Sequence, residues 1–457
     1  MSDLLKNVPI QLNPDLQYLG TETAFGFGAE VLAVEASKKF PQIFKFHVGD
    51  TGPKTPQPII DTAIKALQDK QTKYGHFQGY PCVRKNIAAH WNKTRGINID
   101  EDHVILTPSG KSVIDITIQT FSGPNNYIVG QNPGYPIYES LARFHNQNRY
   151  LPWYARKNDG LLTFEVEDLE EILKKQPGVN LVVLNTPQNP TGMMMNQEKL
   201  EQVAKLAEKY NFCVMFDDIY DQITFGGRKH FSILSVPGMM ERTINLNGYS
   251  KDFAMTGWRL GFAIAPKWLI KIFGQLAINK WSCVNTVGQI VAGVIFGDVE
   301  VNGIKYPSVA DAIRPIIDAD VAEYERKGNF VFESLSLLKP YVIPNQVEGA
   351  FYIFPNIQKV LDLPYVQNEL KIQTEKELTR WFLYEKGFAC LAGPDFGEGA
   401  KGHIRFSYAE DRNNHIIPGI KYFIKIILEL IEKSGLTAPF TASEVNTRMG
   451  EIEKKCF

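Results

Sequence analysis

At 457 residues the chain is long enough for two or three domains and a sizeable core. Its 44% hydrophobic and 22% charged content are those of an ordinary globular protein, and a formal net charge of -1 offers no case for a polyanion such as nucleic acid as partner. Five scattered cysteines (Cys82, Cys213, Cys283, Cys390, Cys456) show neither CxxC nor metal-ligand spacing, so free thiols in a reducing compartment and no bound metal are expected.

Met1 to Asn7 lacks a basic segment followed by an apolar core, and no uninterrupted apolar run reaches membrane-spanning length. Cys456 is penultimate, so the C-terminus is not a prenylation box. The expectation is a cytoplasmic protein away from membranes.

Ala29 to Lys39 carries helical patterning. Just before it, Phe25-Gly26-Phe27-Gly28 has the look of a dinucleotide loop, but no strand precedes it and a lone glycine pair is weak, so no nucleotide site is expected. Phe46-His47-Val48-Gly49-Asp50-Thr51-Gly52 opens onto a proline-marked helix at about Gln57 to Leu67. Apolar strand runs then appear at Val104 to Leu106, Tyr127 to Val129, Leu181 to Leu184, Val214 to Phe216 and Ile244 to Leu246, with another resuming at Gly261. Helical spacing lies between them, as in Leu200, Val203, Leu206 and Ala207. Strands separated by helices predict an α/β fold, a mostly parallel sheet covered on both faces, with ligands collecting at the strands' carboxyl ends.

After about Gly297 the rhythm changes to a long helix around Ala310 to Leu338, short strands at Ala350, Phe388 and His403, and two more helices. This predicts a smaller α+β domain. The expected divisions are residues 1–45, an N-terminal arm and part of the small domain; 46–300, the large domain; 301–434, the small domain; and 435–457, a polar C-terminal tail or arm.

The chemistry-bearing strings fall where a parallel sheet would present them. Thr107-Pro108-Ser109-Gly110-Lys111-Ser112 stands between a strand and a helix, where backbone donors make an anion site; alone it reads as a capped turn. Tyr135, in Asn132-Pro133-Gly134-Tyr135-Pro136, could stack on a planar ring or be a surface residue. Asn185-Thr186-Pro187-Gln188-Asn189-Pro190-Thr191-Gly192 is turn chemistry on its face. Phe216-Asp217-Asp218-Ile219-Tyr220 ends an apolar strand with two acids, Asp218 reading as a solvated or capping neighbour. Asn247 to Gly261 holds Lys251 and Arg259 in a glycine-rich turn; two solvated cations would be the ordinary reading of that spacing.

Together and in this order, over roughly Phe46 to Lys433, these strings closely resemble the class I/II aminotransferases, the aspartate aminotransferase-like enzymes of pyridoxal phosphate fold type I. The resemblance implies a large cofactor-binding domain and a smaller α+β domain. It makes Lys251 the lysine that forms the Schiff base with pyridoxal 5'-phosphate and then moves the α-proton. Arg259 would hold the phosphate with Ser109, Gly110, Lys111 and Ser250, while Tyr135 stacks on the ring. Asp217 would keep the pyridine nitrogen protonated, and Tyr220 and Asn189 would contact the phenolic oxygen. Arg405, in His403-Ile404-Arg405-Phe406-Ser407-Tyr408, would grip the substrate α-carboxylate beside Asn189 and Gly49. Tyr74, near Gly79-Tyr80-Pro81, would reach the phosphate of the neighbouring subunit, implying a homodimer.

Departures from the family's pattern are Gly248, where many relatives have a hydroxyl side chain three residues before the lysine, a long junction over Phe296 to Pro315, and the tail. The implied reaction moves an α-amino group to a 2-oxo acid. Elimination, replacement or cyclisation of an amino acid, for example a guanidino amino acid, would use the same early machinery. A ligand-sensing regulator is disfavoured by the intact Lys251 and the short chain before the fold, and a nicotinamide dehydrogenase by the lack of a fingerprint. Second-carboxylate, aromatic and guanidino substrates all stay open.

Overall fold

The computed structural model describes residues 12–20, 23–147 and 149–457. Met1 to Asn7, read above for a leader, lies outside the described residues.

Among the described residues seven strands build the central sheet: β1 Val104–Thr107, β2 Tyr127–Asn132, β3 Tyr150–Tyr154, β4 Val179–Asn185, β5 Cys213–Asp217, β6 Thr243–Gly248 and β7 Gly261–Ile264. Their order is β1-β7-β6-β5-β4-β2-β3. β7 runs antiparallel to β1 and β6, and the other pairs are parallel. The five apolar runs and the Gly261 strand are all in this sheet. Edge strand β3, which carries Pro152, is an addition to the expected set. Proline is tolerated there because one side of an edge strand needs no ladder partner.

Successive side chains of a strand face opposite ways. In β4, Leu181 and Val183 accordingly pack in one core with Met215 and Ile244, while Val182 and Leu184 join Val214 and Phe216 in another. Helices cover both faces. Helix Gln197–Tyr210 shows the local logic: Asn196 Oδ1 accepts from the Lys199 amide at 2.9 Å, Leu200, Val203, Ala204 and Ala207 are buried, and Asn211 ends the helix in left-handed backbone with φ 54°.

The second core is built on a small antiparallel sheet of Tyr352–Ile353, Leu391–Ala392 and Ile404–Ser407. The chain's N-terminal part completes it, since Phe44–Lys45 pairs in parallel with Phe388–Ala389. Helices Ala310–Ser336, Glu375–Lys386 and Ile417–Lys433 pack around it.

Three stretches differ from, or add to, what the sequence suggested. The Phe25 to Gly28 glycines lie in helix Thr23–Ala36, which starts earlier than the periodicity suggested and is not a loop. The long junction contains a β-hairpin, Val299–Val301 with Ile304–Tyr306. The stretch read as a polar tail ends in helix Val445–Cys456, whose Val445 and Met449 are fully buried and which Lys421–Glu453 and Lys455–Glu333 ion pairs tie down. Its charged residues hide an apolar stripe of one residue per turn, enough to dock a short helix.

Candidate active site

A cavity of about 870 Å³ opens where the carboxyl ends of the parallel strands meet the second core. Ser109, Gly110 and Lys111 follow β1, Tyr135 follows β2, Asn189 follows β4, Asp217 ends β5, and Ser250 and Lys251 follow β6; all line it. So do Tyr220, Arg259, Gly49 and Arg405, the last carried by the small sheet. Of the residues nominated from sequence, only Tyr74 is elsewhere: its side chain is 88% exposed and is not part of the cavity wall.

One end of the cavity gathers backbone and side-chain donors. Helix Gly110–Phe121 points its first amides there, with the side chains of Ser109, Ser250, Lys111 and Arg259 around it. The turn sits close on β7, since a Cβ at Gly261 would come 2.6 Å from the Gly110 nitrogen. Arg259 has left-handed backbone, φ 54°, and its Nη1 donates to the Thr256 carbonyl at 2.7 Å.

The middle holds two opposed groups. Lys251 Nζ donates to the Gly49 carbonyl at 2.5 Å and lies 5.6 Å from the Phe351 ring centroid. Gly49 is required there, since a Cβ would meet the Tyr352 hydroxyl at 2.5 Å. Asp217 is buried; its Oδ2 accepts from the Tyr138 hydroxyl at 2.5 Å and its Oδ1 from the Ile219 amide at 3.1 Å. Burial pushes the Asp217 carboxyl up to about 6, against the lowering effect of the Tyr138 hydrogen bond and of Lys251. Burial and the adjacent carboxylate together hold the Tyr138 phenol well above its ordinary range, so it remains a donor. Tyr220 shares a 2.9 Å hydrogen bond with Tyr352 and is likewise held protonated, chiefly by burial.

At the far end Arg405 is buried, its Nη1 donating to Asn189 Oδ1 at 3.0 Å and its Nη2 to the His47 carbonyl at 2.6 Å. Its guanidinium lies over the Tyr352 and Phe396 rings, 4.6 and 4.9 Å from their centroids. Asn189 is itself fixed: its amide donates to Asn185 Oδ1 at 2.8 Å, and Asn185 Nδ2 donates to the Asp217 carbonyl at 2.9 Å. A chain of hydrogen bonds therefore runs from the end of β5 to the arginine of the small sheet. The His47 imidazole is pushed down to about 4, by burial first and the Arg405 charge second, so it stays neutral.

This geometry accords with what similarity detects. The family described as aminotransferase class I and II matches residues 41–417. The chain belongs to the class I and II aminotransferases. Aromatic-amino-acid aminotransferase 2 of Thermococcus litoralis is 30% identical over 370 residues, 80% of this chain and 87% of that one. The aspartate aminotransferase of Sulfolobus acidocaldarius is 28% identical over 374 residues, 81% and 87% of the two chains. In fold, this aminotransferase superposes on the Thermus thermophilus aspartate aminotransferase solved with maleate, with a TM-score of 0.79 at 24% identity, over 91% of this chain and all of that one.

Sequence reasoning passed over several residues of this aminotransferase's cavity. Tyr138 stands three residues after Tyr135, one helical turn along Pro136–Asn146, and that spacing was its only signal. Tyr352, Asn185 and His47 had none beyond lying near assigned residues. The wall also takes Gly28, Val31 and Leu32 from helix Thr23–Ala36. Asp218, read as solvated or as a cap, is instead fully buried. It faces away from the cavity because its neighbour Asp217 faces into it.

Among the described residues no helix is long and apolar enough to cross a membrane.

Proposed function

We propose that this aminotransferase transfers the α-amino group of an amino acid to a 2-oxo acid, with pyridoxal 5'-phosphate held in the cavity described above. The observation that carries the reading is that one cavity takes Lys251, a buried, doubly anchored Arg405 and the start of helix Gly110–Phe121 into its wall.

The donor set suits the cofactor. The Gly110 helix start, Ser109, Lys111, Ser250 and Arg259 would hold the phosphate; Tyr135 would pack against the ring; Asp217 would pair with its nitrogen; Tyr220 and Asn189 would bond its phenolic oxygen. When bound, pyridoxal phosphate supplies an electron sink for the charge left on the substrate's α-carbon.

The remaining work falls to side chains. Arg405 presents parallel donors that match a planar carboxylate, and Asn189 and the His47 carbonyl fix its plane. Gly49 keeps backbone close to that carboxylate. Lys251 Nζ would hold the cofactor covalently, and its amine would take the substrate's α-proton. A cation opposite Asp217 favours its carboxylate form, which burial alone disfavours. Residues 46–300 then form the cofactor-binding body and 301–434 the smaller one. Tyr74, exposed on its own chain, acts on the cofactor phosphate of a second copy in a cytoplasmic homodimer.

Arg405→Lys replaces a fork by a point charge and should raise KM for the amino acid roughly 10- to 100-fold while leaving cofactor affinity nearly unchanged. Rapid mixing with an amino acid and no oxo acid should give one half-reaction and then a stall. Sustained turnover without oxo acid would replace transamination by elimination, replacement or cyclisation.

A further inference from the structure

We infer that the hairpin in the long junction, Val299–Val301 with Ile304–Tyr306, is a positioning device for Tyr74, and so for the part of the site that one copy of the chain lends to another. The inference rests on the Tyr74 reading above.

The hairpin is locally encoded. Asn302-Gly303 forms its two-residue tip with φ values of 53° and 77°, the positive pair that a tight twisted turn demands. Register pairs Val299 with Tyr306 and Val301 with Ile304, so these four share a face, and Glu300 pairs with Lys305 on the other. Val299, Val301 and Tyr306 are buried. The base is clamped to the large domain: a Cβ at Gly293 would come 2.4 Å from Val299 Cγ2, and Asn86 Nδ2 donates to the Asp298 carbonyl at 2.9 Å.

From that base the hairpin reaches the turn just before Tyr74. Asn302 Nδ2 donates to Gln71 Oε1 at 2.9 Å, and the Tyr306 hydroxyl donates to Asp69 Oδ2 at 2.9 Å. Gln71 is buried, and its carbonyl accepts from Thr286 Oγ1 at 2.6 Å. On the other side of Tyr74, Gly75 lies so close to Thr286, Gln289 and Tyr80 that a Cβ would come 2.9 to 3.2 Å from them. The chain is thus gripped at Gln71 and again at Gly75, while the Tyr74 ring between them projects into solvent. An exposed aromatic on a doubly held turn is arranged in advance for a contact that the described residues of its own chain do not make. Such pre-arrangement lowers the ordering cost when the second copy docks.

The test is cofactor binding to apoprotein, titrated by absorbance, with dimerisation followed by sedimentation. Asn302→Gly and Tyr306→Phe remove the two hydrogen bonds to Gln71 and Asp69 and keep the positive-φ turn and the hairpin's apolar face. Together they should raise the cofactor's apparent Kd roughly 3- to 10-fold. Glu300→Gln with Lys305→Gln, on the outward face, should change nothing. In a Tyr74→Phe background the Asn302 and Tyr306 changes should add no further loss, a non-additivity that general destabilisation would not produce. Full additivity overturns the inference, as does a Tyr74→Phe loss unmatched by any loss from the hairpin variants; both leave the Tyr74 role standing. Unchanged affinity in Tyr74→Phe itself overturns that role and the inference with it.

Discussion

Asp217 and Asp218 are adjacent, as are Tyr220 and Asp221, and Lys251 and Asp252, yet the first of each pair lines the cavity and the second faces the protein interior behind it. The rear row forms a cluster with Arg95 and Asn247. Arg95 is ion-paired with Asp221, and Asn247 Nδ2 donates to Asp218 Oδ1 at 3.0 Å and Asp221 Oδ1 at 3.1 Å. His230 Nε2 comes within 3.6 Å of Asp218, but burial pushes that imidazole down to about 4, so the approach is not an ion pair.

The two rows treat charge differently. In front, substrate and cofactor can balance Lys251, Arg405 and Asp217. Behind, one guanidinium serves three carboxyls. Burial raises the Asp221 carboxyl, but Arg95 and the hydrogen bonds from Asp252 and Asn247 together outweigh it and hold the group below its ordinary range. Asp218 and Asp252 are held well above that range, by burial first and by the Asp221 charge second. In the rear row, then, Asp221 is biased toward its ionised form and Asp218 and Asp252 toward their protonated forms. The proposed chemistry falls to the front row, and the rear row packs behind it, beneath the backbone on which those side chains stand.

The largest expected contrast is between Lys251 and Asp252. Lys251→Ala should abolish the borohydride-fixed link between protein and cofactor and lower activity by about 10⁴-fold. Asp252→Asn should keep the link and the colour, because an amide mimics the protonated acid; loss of the adduct there would erase the distinction between the rows.

Arg95→Met should act through stability instead. It strands an anion beside two protonated carboxyls and should cost roughly 3–5 kcal/mol in denaturant unfolding. A variant of normal stability with impaired catalysis would move Arg95 to the front row.

Asp217→Asn should slow α-proton removal by roughly 10²–10³-fold, measured by exchange of the substrate's α-hydrogen with solvent, with amino-acid binding little changed. Asp218→Asn should leave that exchange near the wild-type rate. Equal losses in both would break the comparison.

The smallest effect is a pH dependence. Asp218 has a folded pKa above its unfolded one, so it favours the folded state at low pH and progressively opposes it as pH rises from the ordinary carboxylate range toward the folded value. Asp218→Asn should therefore gain on the order of 1 kcal/mol of stability at neutral and alkaline pH. That gain should shrink in acid. Equal effects at pH 4 and pH 8, read from melting curves, would contradict the protonated assignment.

Much of the front row was legible because its residues sit in short strings at strand ends, where direction and turn chemistry are local properties. Asn189, Asp217, Lys251 and Arg259 fall there, and Arg405 lies on a short apolar strand. The rear row was illegible: Asp218 read as a solvated or capping neighbour and Asp252 drew no reading, since nothing local marks a carboxyl whose partners are a helix end at Arg95 and a side chain at Asn247. The hairpin was legible in principle, with Asn302-Gly303 between alternating apolar residues, yet a count of extra residues hid it. The C-terminal helix was masked by charge outnumbering its apolar stripe.

The sequence by itself determined the class of fold, every strand of the central sheet but the edge strand Tyr150–Tyr154, and the types of side chain available at their ends, because these depend on periodicity and turn residues within a few positions of one another. Only the tertiary structure decided which of two adjacent acids meets the cavity, that Tyr138 rather than a nearer neighbour holds Asp217, and that Arg405 meets Asn189 from 216 residues away. Those outcomes depend on how distant elements pack, and burial among them, more than residue type, sets each group's charge.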